Sequence, residues 1–134
     1  MTRPRSVAAA AIALALPWVV ASTALAVEAP TSAAHTACMG KSGGVTSAML
    51  DCIATELQRQ DARLNRAYKA AMAPLSAPRK KQLLAAQRAW LAFRDANCQF
   101  YADPEGGSVV TVVVNDCVLS ATATRALELE NLAD

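Results

Sequence analysis

The sequence predicts an all-α domain: a three-helix antiparallel bundle, or a helical hairpin plus a third helix, stapled by two disulfides. Three observations predict it. Apolar residues recur at helical spacing through residues 46–73 and again through 76–98, four cysteines follow a segment laid out like an export signal, and the chain has one strand-like run with no partner. The length, 134 residues, allows one hydrophobic core.

Residues 1–26 open with Arg3 and Arg5, run apolar from Val7 to about Ala21, and end in Ala24-Leu25-Ala26. A charged start, a greasy middle and small residues before the cut form a secretory signal peptide, with cleavage expected after Ala26. Pro17 interrupts the apolar run and no basic stop-transfer cluster follows Ala26, so a membrane anchor is not expected. No cysteine near the cut offers a lipid attachment point. The expected location is a periplasm or the cell exterior.

The chain carries 13 basic and 11 acidic side chains, and removal of Arg3 and Arg5 makes the exported product neutral. A neutral chain has no footprint for a phosphate backbone, which excludes non-specific nucleic-acid binding and docking to anionic membranes as functions.

Residues 27–44, with Pro30, Gly40, Gly43 and Gly44, show no sustained periodicity and read as a flexible tether. His35, the one histidine, is expected there as an exposed linker residue, which leaves histidine acid–base chemistry without a base. The helical domain is expected over residues 45–134, with Cys38 tied back to it.

The first helix is predicted from Thr46, capped by Thr46 or Ser47, with Leu50, Ile53, Leu57, Asp61, Leu64 and Tyr68 in one sector. Pro74 and Pro78 bracket the connection, and Ser76 can cap a second helix whose Leu83, Leu84, Gln87, Trp90, Leu91, Arg94 and Cys98 share a face. The two should close as a hairpin. Val109, Val110, Val112, Val113 and Val114 favour strand by propensity, yet a lone strand leaves its backbone unpaired, so a third helix from about Ser108 is predicted.

Export makes Cys38, Cys52, Cys98 and Cys117 candidates for two disulfides, and their wide spacing argues against zinc. At about 100° per residue, Cys52 points away from the apolar sector, so it does not face the second helix. The preferred pairing is therefore Cys38–Cys52 with Cys98–Cys117.

Asp61 on the first helix and Arg94 on the second are expected to pair across the hairpin seam, with Asn65 and Gln87 adding hydrogen bonds. Hydrolysis by paired carboxylates would need that seam to open into a wet cleft and a second acid beside Asp61. The serines have no histidine to activate them, the cysteines are expected oxidised, and no phosphate loop, dinucleotide motif or metal cluster occurs. The expectation is a non-enzyme without cofactor or metal. Phe93 points away from the helix stripe, either onto the tether or outward as a binding anchor. The Tyr101–Gly107 loop holds Asp103, Pro104 and Glu105, and a loop held on a rigid scaffold is where recognition resides.

The order Cys52, Asp61-Ala-Arg-Leu-Asn65-Arg-Ala-Tyr68, Gln87-Arg88-Ala-Trp90-Leu-Ala-Phe-Arg94-Asp-Ala-Asn-Cys98, Gly106-Gly107-Ser108, Cys117, Thr122 and Arg125 resembles the LprI-type lysozyme inhibitor family. The likeness spans residues 38–132. It implies a small, exported, helical, cysteine-bridged domain, and supports helix over strand in the valine run. The shared Asp61, Asn65, Tyr68, Gln87, Trp90, Arg94 and Arg125 read as fold determinants. The resemblance implies an exported, non-enzymatic binding protein that inhibits lysozyme or a related cell-wall hydrolase; the rigid acidic loop offers Asp103 and Glu105 as the contacts of that reading, and Phe93 is a further partner-binding candidate that, if exposed, favours the alternative. The alternative is a structural or envelope-stress module that binds another periplasmic partner.

Overall fold

The computed structural model describes residues 31–133. The predicted signal sequence and its cleavage point lie outside the described residues, as do residues 27–30 of the expected tether. Among the described residues the chain is all-helical: α1 (Ala33–Lys41), α2 (Thr46–Met72), α3 (Ala77–Gln99) and α4 (Val109–Ala133). The three predicted helices are α2, α3 and α4. The fourth, α1, occupies the segment expected to be a tether.

Helix α1 is short and weakly patterned, so its neighbours hold it. Ser32 caps it, its Oγ accepting from the His35 backbone N–H at 3.1 Å. The helix is bridged to α2 by Cys38–Cys52. Gly43 and Gly44, at φ of 59° and 77°, reverse the chain between the two helices in a conformation that side chains resist. His35, in the first turn of α1, is buried, not exposed as expected for a linker, and its Nδ1 has no partner among the described residues.

The main fastening of α1 is a buried carboxylate. Glu56 of α2 is fully buried and accepts from the Ser32 N–H at 2.8 Å, the Ser32 hydroxyl at 2.6 Å, Gln60 Nε2 at 2.7 Å and Arg59 Nη1 at 3.0 Å. Burial pushes this carboxyl up, but the hydrogen bonds from Ser32, Gln60 and Arg59 outweigh it and hold it down at about 2. An anion at the α1 N-terminus also complements the helix dipole.

Helix α2 begins without the expected hydroxyl cap: Val45 takes the cap position and makes no side-chain bond. Its buried face runs through Ile53, Glu56, Gln60, Leu64, Ala67 and Ala71. That face is rotated from the predicted stripe, so Asp61 and Tyr68 lie at its margin, half-buried. The rotation follows from the partner. Helix α2 packs along α4, not along α3. The two run parallel, with Thr46 near Ser108 at one end and Arg63 holding Glu130 through two bonds of 2.7 and 2.6 Å at the other. Leu64 and Ala67 meet Ala126 and Leu129 in the core, with Tyr68, Leu83 and Trp90 packed against them.

Helix α3 runs antiparallel to α4. Cys98–Cys117 joins them at one end, Arg94 Nη1 donates to the buried Thr122 hydroxyl at 3.2 Å, and Arg125 Nε donates to Gln87 Oε1 at 3.1 Å. The Arg94 and Arg125 guanidinium groups lie 5.2 and 5.9 Å from the Trp90 ring centre. Both disulfides match the preferred pairing. Helix α4 is long and apolar enough to cross a membrane by length and composition. Its Leu119, Thr122, Ala123, Ala126 and Leu129 fill the core, whereas Val109 and Val113 in its valine-rich first turns stay exposed.

Candidate functional site

Two surfaces carry chemistry that the fold does not consume. The first is the turn between α3 and α4. Cys98 and Cys117 clamp its two sides, and short local bonds stiffen it: the Glu105 N–H donates to Asp103 Oδ1 at 2.9 Å and the Gly106 N–H to Asp103 O at 3.1 Å. Gly106 is required because a Cβ there would run into the Val110 side chain, and Gly107 adopts φ of 68°. The result presents Asp103 and Glu105 as exposed carboxylates on a loop with little freedom to lose on binding.

Exposed aromatic side chains lie on α3 and at the start of the turn. Phe93 is 66% exposed, so of its two predicted settings the outward one is observed and the contact with the tether is not. Phe100, two helical turns further on, is 84% exposed and meets Tyr101 edge to face, with ring centres 5.8 Å apart. Phe100 does not stand out in the sequence by composition or turn chemistry. Its signal was the seven-residue interval from Phe93, which puts both rings on one side of α3.

The second surface is the seam expected to close the hairpin. Helices α2 and α3 both lean on α4 and do not pack closely on each other, leaving an open groove of about 550 Å³ between them. Asp61, Asn65 and Tyr68 line it from α2, and Gln87, Arg88 and Arg94 from α3. The predicted Asp61–Arg94 pair does not form. Arg94 binds Asp95 instead, with contacts of 2.9 Å from Nε and 2.7 Å from Nη2, and reaches Thr122 on its far side. Asn65 likewise bonds neither Arg94 nor Gln87, whose amide oxygen is taken by Arg125. The groove is the open cleft that hydrolysis would require, yet Asp61 is its one lining acid, and a lone carboxylate does not make the acid–base pair of that chemistry. No group of three or more potential metal ligands occurs among the described residues.

The family model described as Lysozyme inhibitor LprI matches residues 38–129. An uncharacterized protein of Rhizobium meliloti (strain 1021) is 29% identical over 97 residues, spanning 62% of this chain and 70% of its own length. No solved structure matches the chain.

Proposed function

The chain belongs to the LprI lysozyme inhibitor family, and from that premise we propose that it is an exported, non-enzymatic protein that inhibits lysozyme or a related basic cell-wall hydrolase. Export proceeds through residues 1–26, with cleavage after Ala26. The observation that carries the inhibitory reading is the stiff α3–α4 turn, which holds Asp103 and Glu105 in solvent and opens with exposed Phe100 and Tyr101. Carboxylates suit a cationic partner because complementary potential speeds encounter and fixes orientation, and aromatic side chains supply desolvated contact area. The test is clearing of a cell-wall suspension by a c-type lysozyme, titrated with the oxidised exported protein and with a reduced sample. Dose-dependent inhibition that reduction abolishes is expected.

A second reading has its own support. Exposed Phe93 and Phe100 suit a module that binds a different envelope protein through its helical surface, leaving lysozyme untouched. Absence of inhibition at large molar excess, with labelled protein recovering a distinct partner from envelope extracts, favours this reading over the first.

A further inference from the structure

We propose that the α2–α3 groove is a binding site for a short, neutral, hydroxyl-rich ligand: a glycan segment of about two or three sugars, judged from the volumes typical of small-molecule sites. The proposal goes beyond lysozyme inhibition and does not rest on the α3–α4 turn.

The groove exists because α4 claims the inner faces of both helices. Leu84 and Leu91 sit on the face of α3 turned toward α2, yet they remain 38% and 37% exposed. A hairpin seam normally buries such residues. Here α4 takes the buried face of α2 and the Cys98–Trp90–Leu83 side of α3, so the facing flanks stay apart and wet.

The unfilled hydrogen-bonding capacity of the groove then selects the ligand. Asp61, Asn65, Tyr68 and Arg88 have no hydrogen bond or ion pair among the described residues, and the Gln87 amide nitrogen stays available after Arg125 takes its oxygen. Together they offer a carboxylate that only accepts, a guanidinium that only donates, and amides and a phenol that do both. Vicinal hydroxyls, each donor and acceptor at once, match that mixture.

Charge narrows the choice further. Asp61 on one wall offsets Arg88 on the other, and Arg94 is neutralised by Asp95. An anion would meet Asp61, a cation would meet Arg88, and a neutral polar ligand meets neither penalty. Leu84 and Leu91 along the same groove provide the apolar surface against which the C–H face of a sugar ring packs.

The experiment uses the oxidised protein purified after export, with the N-acetylglucosamine trimer as probe and the side-chain amide NMR signals of Asn65 and Gln87 as readout. Saturable shifts of both are expected, weakened at least tenfold by Asn65→Ala and by Asp61→Ala. Asn65 is exposed and serves no core contact, so its replacement leaves the fold intact; Leu91→Trp, which fills the groove, is a second variant expected to abolish the shifts. Asp103→Ala with Glu105→Ala should leave the sugar shifts unchanged, which separates failure of this proposal from failure of the inhibitory turn. Unmoved amide signals at millimolar sugar, or variants that bind as the native protein does, would overturn it. Displacement by a zwitterionic dipeptide at lower concentration than the trimer would overturn the ligand class.

Discussion

The two disulfides close chain segments of similar length, their cysteines 14 and 19 positions apart, but to opposite effect. Cys38–Cys52 draws α1 onto the body of the protein, where Ser32 reaches the buried Glu56 and His35 loses its access to water. Cys98–Cys117 pins the feet of a turn whose carboxylates and neighbouring aromatic side chains all face solvent. Loop length therefore does not decide what a bridge is for. What lies inside the loop decides it: a capping serine that completes a buried carboxylate in one case, and a self-bonded Asp-Pro-Glu-Gly-Gly turn in the other.

The largest expected effects come from breaking the bridges one at a time. Loop-closure entropy gives each about 3 kcal/mol of stability, nearly the same for both. Cys38→Ala with Cys52→Ala, and Cys98→Ala with Cys117→Ala, should thus lower urea stability to a similar extent. Only the second pair should raise the concentration needed for half-inhibition of lysozyme, by tenfold or more. Equal loss of inhibition in both would erase the distinction.

Next in size is the fastening that the first bridge assists. Glu56→Gln turns one of the two accepting oxygens into an NH2 donor, leaving either the Ser32 N–H or its hydroxyl without its charged acceptor, and should cost about 2 kcal/mol at neutral pH. The carboxyl is held at about 2 in the folded chain against an ordinary 4.5. Its stabilisation is therefore complete above pH 4.5 and drains away as the pH falls from there toward 2. Denaturation midpoints across that window should fall more steeply for the native chain than for the Gln variant, narrowing the gap between them in acid.

A smaller effect is expected at the Arg63–Glu130 pair joining α2 to α4. Each partner holds the other in its charged form, Glu130 below the usual carboxylate range because Arg63 bonds it, and Arg63 above its own. Both are partly exposed, so Arg63→Met should cost about 0.5 to 1 kcal/mol, and less in high salt. The smallest stability effect belongs to the exposed turn. Asp103→Ala with Glu105→Ala should shift the midpoint by less than about 0.5 kcal/mol, because neither carboxylate touches the core.

Much of the fold was legible because its signals are local. The apolar periodicity of α2, the proline-bracketed break before α3 and the lack of any partner for a valine strand each pointed to helix, although Ser76 takes the cap position of α3 without the side-chain bond expected of it, and the rotation of Cys52 away from the apolar sector pointed to its bridge with Cys38. What escaped depended on distant partners. Nothing in Ala33–Lys41 announces a helix, since Glu56 and Cys52 hold it from α2. The Asp61–Arg94 pair failed for a related reason: periodicity marks an apolar face without saying which neighbour will claim it, and α4 claimed α2. Glu56 drew no attention because buried carboxylates are rare and sequence cannot show the donors that make one tolerable. At the candidate site, Asp103, Glu105 and Phe93 stood out by turn chemistry and by helix phase, whereas Phe100 and the open groove emerged only from the packing.

The most direct test of the account compares the two surfaces in one assay. Inhibition of a c-type lysozyme would be titrated with the native protein, with Asp103→Lys and Glu105→Lys combined, and with Asn65→Ala in the groove. At least tenfold weaker inhibition is expected from the doubly reversed turn, and native inhibition from the groove variant. Native inhibition by a folded Asp103→Lys, Glu105→Lys protein would contradict the inhibitory role of the turn.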